Sequence, residues 1–543
     1  MAIPPGQDSA VFYNPVQVQN RDLSILMIAL YAERRAVRAA LQVKRKQLKK
    51  EKLDSVTLQQ KMQEYEQSLD GTSLVKEQSK NDKDKGLTIL DALAASGLRS
   101  IRYWKEIPGV KHVTINDLEA AAVDRARDNV KLNNVQEDLV PESDTATKLN
   151  ERPLGIGIQQ GDATHELYLS RGRPSDLLSS SSPFRPQWDV IDLDPYGSAA
   201  PFLDAAIQAI ADGGFICCTC TDMAALGGSH PETCFGRYAS MPIQRAGYLQ
   251  EVALRILLHA MASSAARYGR TIRPVLSVGM NFYIRVFVEV CDNKAGVNDL
   301  SLQTGYVYQS TNCPSFHIVR SGQMGGKKGN VYKAGRAPDL LKCEETGAAF
   351  KVGGPMWMGQ LHDQSVVAEA LKRLESEKDS VVPDMKYIAT RNRLRGLLES
   401  CRDELPDVPL FYKLQDLAQT LQVSTLPLKA MKGALVNAGF RVSGYHKEPQ
   451  AIKTDAPNRI VWDVMRSWYK KNPPKKQPKE GSAAAKIIAV EPSIEVDFTI
   501  PASILKNSNI SRFPLNPERN WGPKAKASGN RKRKATGKPD EES

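Results

Sequence analysis

Short apolar runs separated by helix-like stretches dominate the middle of the chain. Runs at 87–90, 113–115, 157–160, 190–193 and 214–220 alternate with amphipathic segments at 100–105, 119–133 and 201–211. A long helical stretch, 243–267, then precedes two further runs at 275–278 and 282–290. Continuous apolar runs, rather than alternating ones, mark strands buried on both faces, and strands spaced by helices mark a parallel sheet. The pattern predicts a Rossmann-like, doubly wound α/β domain over residues 1–292, with an antiparallel edge at its end.

The flanks follow other rules. An apolar helix is expected over 23–31, capped by Asp22, and it leads into a charged, Gln-rich helical insertion at about 40–85. Loop insertions are expected at about 136–153 and 170–187. Beyond residue 292 the strand–helix rhythm is lost, and a second, smaller α+β domain is assigned to 293–471. Within it, 414–421, 423–425 and 427–438, followed by a strand, read as a helix-turn-helix. Residues 472–543, rich in Lys, Pro and Ala and holding Arg531-Lys-Arg-Lys534, read as a disordered basic low-complexity tail.

Charge sharpens this picture. The formal net charge is +13, and from Lys471 onward 15 basic residues face 8 acidic ones, so over half of the excess lies in the tail. A second basic block, 34–52, holds nine Lys/Arg. This distribution points to a polyanionic partner and, for the tail, to a nuclear address. Eight cysteines, three of them in Cys217-Cys218-Thr-Cys220 on an apolar run, suit free thiols rather than a disulfide framework. No uncharged apolar run reaches about 18 residues, so no membrane association is expected, and the N-terminus does not read as a secretory signal. A mitochondrial pool stays open, and a monomer is expected.

Candidate chemistry gathers where the apolar runs stop. Asp91, Asp117 and Asp162 each follow a predicted strand, and in a doubly wound sheet such positions share one crevice. The first loop, Ala94-Ala95-Ser96-Gly97, is small enough for close approach, but it is neither G-x-G-x-x-G nor a phosphate-binding G-x-x-x-x-G-K-[ST] loop. A ligand with a ribose, an amino-acid end and a sulfonium fits better: Asp117 for the ribose hydroxyls, Asp162 for the adenine amine, the first loop beside the methionine part. The fourth strand ends in Asp194-Pro195-Tyr196-Gly197. Alone, these are ordinary turn residues. Beside the three acids they suit methyl transfer to an exocyclic amine of a base. Asp194 and the Pro195 carbonyl would accept the amine hydrogens, while Tyr196 offers a stacking face.

The ordered set of motifs resembles the tRNA guanine-26 N2-dimethyltransferases, in a eukaryotic and fungal form. It comprises Phe12-Tyr-Asn-Pro15, Asn20-Arg-Asp22, the Asp91–Ser100 loop, Ile115-Asn-Asp117, Gly161-Asp-Ala163, Asp194-Pro-Tyr-Gly197, Cys220-Thr-Asp-Met-Ala-Ala-Leu226, Arg285-Val-Phe-Val-Glu289 and Gly353-Gly-Pro-Met-Trp-Met-Gly359. The resemblance implies S-adenosylmethionine as cofactor, tRNA as substrate, and N2-methyl- then N2,N2-dimethylguanosine as products. It implies that Arg21, Arg99, Asp117, Asp162 and Ala163, with Asp91, serve the cofactor. Asp194, Pro195 and Tyr196 would serve catalysis, and Phe12 would stack on the base, with Tyr13 as the other candidate. Relatives carry paired C-x-x-C motifs, whereas here Cys313-Pro-Ser-Phe316 and Cys343-Glu-Glu-Thr346 each retain one thiol, so no metal is expected. Two alternatives remain at this stage: an amine methyltransferase acting on another RNA or DNA base, and an RNA-binding or RNA-folding protein on a methyltransferase scaffold.

Overall fold

The computed structural model describes residues 15–51, 53–81, 86–135, 154–172, 185–280, 282–326, 329–337, 342–375, 387–505 and 511–514. Phe12, Tyr13, most of the two loop insertions and the Arg531–Lys534 cluster lie outside them. The largest sheet among the described residues has seven strands: β1 (Leu87–Asp91), β2 (Val110–Asp117), β3 (Gly155–Gln160), β4 (Trp188–Leu193), β5 (Ile210–Cys220), β6 (Arg270–Met280) and β7 (Tyr283–Asp292). Their order is β3-β2-β1-β4-β5-β7-β6. The first five are parallel, and β7 runs antiparallel to both β5 and β6. The antiparallel edge expected from the sequence is therefore present, as a β6–β7 hairpin.

Helices cover both faces. One core contains the buried sides of α7 (Ala200–Ala209) and α10 (Leu249–Arg267). The other contains α1 (Val18–Lys50), α4 (Leu98–Glu106) and α5 (Ala120–Leu132). Among the described residues the shorter helices of this part are α2 (Ser55–Ser68), α3 (Gly71–Asn81) and α6 (Ala163–Leu169) before β4, and α8 (Met223–Leu226) and α9 (Pro231–Tyr238) between β5 and α10.

Two expectations about α1 change. Asp22 is not its cap: the helix begins four residues earlier, and the fully buried Asp22 carboxylate accepts from Arg102 Nη1 at 2.7 Å and from Thr390 N at 2.9 Å. The apolar helix and the start of the charged insertion are also one rod of 33 residues. Its apolar half, Leu23–Ala32, packs on the sheet, with Tyr31 stacked on Phe215 at 4.8 Å. The basic block is divided accordingly. Arg34, Arg35 and Arg38 are taken up by Glu369, Asp189 and Glu289, whereas Arg45, Lys46, Lys49 and Lys50 are exposed.

The residues after 292 do not stay together. The helices Gln364–Glu375 and Arg391–Arg402, assigned by sequence to the second domain, bury Val366, Val367, Ala370, Leu371, Leu374, Leu394 and Leu398 in the same core as α1. Helical spacing shows that a face is apolar, but not which core receives it. The remainder forms a three-stranded sheet, Phe350–Trp357 beside Thr304–Ser310 beside Phe316–Arg320, and a helix-turn-helix unit. That unit comprises Leu414–Leu421 and Leu428–Asn437 followed by a hairpin, Val442–Tyr445 and Glu448–Thr454.

The tail also begins later than expected. Residues 472–505 are described, Ala484 and Ile487 are buried in the helix-turn-helix core, and Arg466 Nε donates to Ile487 O at 2.8 Å. The Pro/Lys-rich composition hides this because the apolar residues that anchor it, Ile487, Ile488, Val496 and Phe498, are few and widely spaced.

Three buried side chains, His362, Glu404 and His446, join the two parts at the sheet edge. The outward-facing groups of β6 meet side chains and loops instead of another strand. Asp363 N donates to Val275 O, Ser277 N to His362 Nδ1 at 3.4 Å, and Gly279 N to His446 Nε2 at 2.8 Å. Each imidazole thus accepts through one nitrogen and turns the other toward Glu404. His446 Nδ1 lies 2.7 Å from Oε1, and His362 Nε2 lies 3.6 Å from Oε2. Burial pushes the Glu404 carboxyl up, but the two histidines outweigh it and hold the group well below the ordinary carboxylate range. A few residues away, Glu251 of α10 accepts from Arg255, from Lys453 Nζ at 2.9 Å and from Leu410 N at 2.7 Å.

Candidate active site

Because β1 to β4 are parallel neighbours, their carboxyl ends lie along one edge. Asp91 is in register with Asp192 and with Ile115, and Asp117 with Gln160. The residues that follow, Asp162 and Asp194, therefore belong to the same edge as Asp91 and Asp117.

Asp194 is held from below by a buried charge network. Arg99, in the first turn of α4, forms an ion pair with Asp194 and lies 3.4 Å from Asp192. It also donates to Ser24 Oγ at 3.0 Å and to Asn20 Oδ1 at 3.3 Å, both on α1. Asp192 is fully buried, receives Arg285 Nη2 at 3.0 Å and accepts from the Tyr103 hydroxyl. Arg285 in turn donates to Thr219 Oγ1 at 2.6 Å. Burial raises the Asp194 carboxyl, but Arg99, then Arg285, outweigh it, with Thr219 and Arg21 adding to the effect, and hold the group below its ordinary 3.8. Asp194 is thus an ionised acceptor with little affinity for a proton.

The network holds three carboxylates, Asp91, Asp192 and Asp194, against two guanidinium groups, Arg99 and Arg285. Asp91 gives way: burial and then Asp192 push it up to about 7, against Arg99 and the Ser100 hydroxyl that donates to it at 2.6 Å. The folded state favours protonated Asp91, so its stabilising contribution is present below 3.8 and is lost as pH rises through about 7. The thermal midpoint of Asp91→Asn, measured against the wild type, is therefore expected to rise between about pH 4 and pH 7. A constant difference between the two proteins would refute that assignment. At 1% exposed, Asp91 lies beneath the crevice rather than lining it.

The other sequence candidates fall as follows. Asp117 accepts from Ala95 N at 2.8 Å and Glu119 N at 3.0 Å, tying the first loop to the second. The first loop needs left-handed backbone at Ala95 (φ +48°) and at Gly97 (φ +69°), where a Cβ would meet Ile115 Cδ1 at 2.9 Å. Asp162 caps α6, accepting from His165 N at 3.0 Å through Oδ1, and is exposed; Ala163 is the first residue of that helix and is buried. Tyr196 is 54% exposed. Burial, then Asp194, Asp117 and Glu119, raise its hydroxyl's pKa. Arg21, in the first turn of α1, is close enough for its charge to act on both Asp194 and Tyr283.

Sequence reasoning missed Asp192, Tyr103, Arg285, Asn116 and Ser24. Asn116 braces two loops and β3, donating to Ala92 O at 3.0 Å and Gly161 O at 3.1 Å while accepting from Gln159. A usable signal did exist for Asp192, since a carboxylate in the middle of a buried strand requires a buried cation.

Two groups resemble metal sites. Cys313 and Cys343 converge, with Sγ atoms 3.6 Å apart, but the neighbouring groups are the Ser310 and Ser315 hydroxyls, at 3.4 and 3.3 Å, and His317 is paired with Glu344. Two thiols and two neutral hydroxyls do not make a tetrahedral zinc site. His362, Cys401, Glu404 and His446 also converge, within 4.8 Å. A ligating imidazole passes its other N–H to an acceptor, however, and here backbone N–H groups already occupy the other nitrogens of both rings. The donor set fits a hydrogen-bonded carboxylate better than an ion.

The family model described as N2,N2-dimethylguanosine tRNA methyltransferase matches residues 4–154 and 173–466. The chain is 38% identical over 537 residues to the tRNA (guanine(26)-N(2))-dimethyltransferase of Schizosaccharomyces pombe, covering 96% of this chain and 91% of the relative. The human enzyme of that name is 37% identical, with 95% of this chain and 75% of the relative covered. The mitochondrial one of Saccharomyces cerevisiae is 31% identical, with 95% and 89% covered. Among solved structures, Trm1 from Pyrococcus horikoshii in complex with S-adenosyl-L-methionine superposes with a TM-score of 0.59 at 25% identity, covering 85% of this chain and 96% of that one.

Proposed function

The chain belongs to the N2,N2-dimethylguanosine tRNA methyltransferase family, and from this premise we infer that it methylates the exocyclic N2 of guanosine 26 in tRNA with S-adenosylmethionine. The products are N2-methyl- and then N2,N2-dimethylguanosine. The observation that carries the reading is Asp194, at the end of β4, held ionised by Arg99 beside Tyr196 and on the same sheet edge as Asp117 and Asp162.

The residues present suit the cofactor by their chemistry. Asp117 and Asp162 would accept from ribose hydroxyls and the adenine amine, Ala163 and the small first loop would admit the ligand closely, and Arg21 with Arg99 would meet its carboxylate. When bound, the cofactor supplies an electrophilic methyl on a sulfonium. Tyr196, with Phe12 on the other side, would hold the extruded base by stacking. Asp194 and the Pro195 carbonyl would accept the two N2 hydrogens and turn the nitrogen lone pair toward the methyl. Once methylated, the amine would be strongly acidic, so that Asp194, even with its low proton affinity, would suffice to take its proton and pass it to water.

The second domain would grip tRNA phosphates, and the basic end of the chain would give a nuclear address, while the mitochondrial Saccharomyces cerevisiae relative supports a second pool in that organelle. Among the described residues no helix is long and apolar enough to cross a membrane. The reading is tested by incubating the chain with unmodified tRNA and labelled cofactor and analysing the nucleosides. Label in dimethylguanosine at position 26 is expected, and label in another base alone would overturn the assignment.

A further inference from the structure

The helix-turn-helix unit invites the assumption that its second helix, Leu428–Asn437, enters a nucleic-acid groove. The chain itself prevents this. Of its ten residues only Lys429 and Asn437 are exposed, because residues 497–501 lie across it. Asn437 Nδ2 donates to Asp497 O at 3.1 Å and Thr499 O at 2.9 Å, and a Cβ on Gly433 would meet Thr499 O at 2.8 Å. The A-form major groove would also be too narrow to admit it.

The hairpin that follows is placed differently. Its two-residue turn is His446–Lys447, and His446 is fixed to Gly279 on β6. Gly279 pairs across β7 with Ile284, which pairs with Cys220 at the carboxyl end of β5. Gly279 therefore lies on the same edge of the sheet as Asp194, three strand spacings or roughly 14 Å away, and the turn sits just beyond it. A Cβ on Gly279 would lie 3.5 Å from Lys447 Cγ, so the lysine stem lies against the sheet end.

Between this turn and the segment leading into α10 is a cleft of about 450 Å³, lined by Arg245, Gln250, Phe411, Lys413, Tyr445 and Lys447 among others. Arg245 is exposed, has left-handed backbone (φ +58°) and has no ion-pair partner among the described residues. Lys351 lies next to this segment, its Nζ donating to the backbone oxygen of Gln244, the residue before Arg245, at 3.4 Å. Lys413 is matched by Glu448 at 3.3 Å, and Asp416 is the other carboxylate of the cleft. Burial pushes the Lys447 ammonium below its ordinary value, with Glu448 opposing, so a nearby anion would favour its charged form.

We propose that the RNA backbone is gripped here, by a phosphate clamp of Arg245, Lys351 and Lys447 formed between the hairpin turn and the α10 approach, and not by the second helix of the helix-turn-helix. The proposal rests on the tRNA-methyltransferase reading and adds to it a location for the strand flanking the extruded guanosine. Three cations at one end of the crevice fix the register of the backbone, which positions the base without reading its sequence. The exposed cations at the far end of α1 make the natural comparison. They lie roughly 40 Å along the helix from Asn20, past the opposite edge of the sheet.

The test uses the full chain and unmodified tRNA. In Arg245→Gln/Lys447→Gln, the KM for tRNA is expected to rise about tenfold with kcat and cofactor affinity little changed. The slope of log affinity against log salt should fall by about 1.5, as expected for two lost phosphate contacts. Arg245→Lys/Lys447→Arg should retain most of the wild-type slope, which separates lost charge from lost folding. An unchanged KM and slope in the Gln pair would overturn the clamp. So would the same losses appearing instead in Arg45→Gln/Lys46→Gln/Lys49→Gln/Lys50→Gln. If the wild-type chain bound cofactor but transferred no methyl to tRNA, the underlying reading would fall, a result distinct from either.

Discussion

Asp194→Ala is expected to lower kcat by at least about a thousandfold while tRNA affinity changes little. The carboxylate directly follows β4 and, with Arg99 and Arg285 holding it, it remains charged until the pH falls below 3.8. Removing it deletes the group that both orients the amine and receives its proton. The fold should survive, because Arg99 keeps Asp192 at 3.4 Å and hydrogen bonds to Ser24 and Asn20. Asp194→Asn separates the two contributions. It retains an oxygen acceptor without the charge, so a loss much smaller than that of Ala would mean that orientation dominates, and a similar loss that the charge does. Wild-type turnover in Asp194→Ala would remove this residue from the mechanism. For the same reason, any acid limb of the rate profile between about pH 5 and 7 must come from a group other than Asp194.

The second large effect is on stability. Glu251→Ala should cost about 3–5 kcal/mol, the range for breaking a buried ion pair by removing one partner. Glu251 is fully buried and Lys453 is 1% exposed, and the two join α10 to the helix-turn-helix hairpin. Burial raises the Glu251 carboxyl, but Lys453 and Arg255 outweigh it, so the folded protein holds it ionised. Without it, both cations and the Leu410 N–H stay buried with too few acceptors. Urea unfolding, followed together with protease cleavage near residues 403–412, would measure this. A loss under about 1 kcal/mol would mean that the interface relaxes around the cations.

The sequence made some of this legible and concealed the rest for physical reasons. The strands could be read because burial on both faces leaves them continuously apolar, and four strand-end acids followed from their ends. Three of those acids lie at the surface of the crevice edge, but Asp91 does not, because a residue at the last position of a strand can lie below the loop rather than within it. The partnership of Arg99 with Asp194 could not be read, since it joins residues 95 positions apart across two loops. Nor could the return of Gln364–Glu375 to the first core, because an amphipathic face does not name its partner.

The edge of β6 has a consequence for assembly. An open strand edge is a template on which a second chain can add a strand, the route to domain swapping and fibrillar growth. Here Val275, Ser277 and Gly279 are already engaged by Asp363, His362 and His446. A variant that loses either imidazole would uncover that template, so its first symptom in concentrated solution should be self-association, ahead of any loss of methyl transfer.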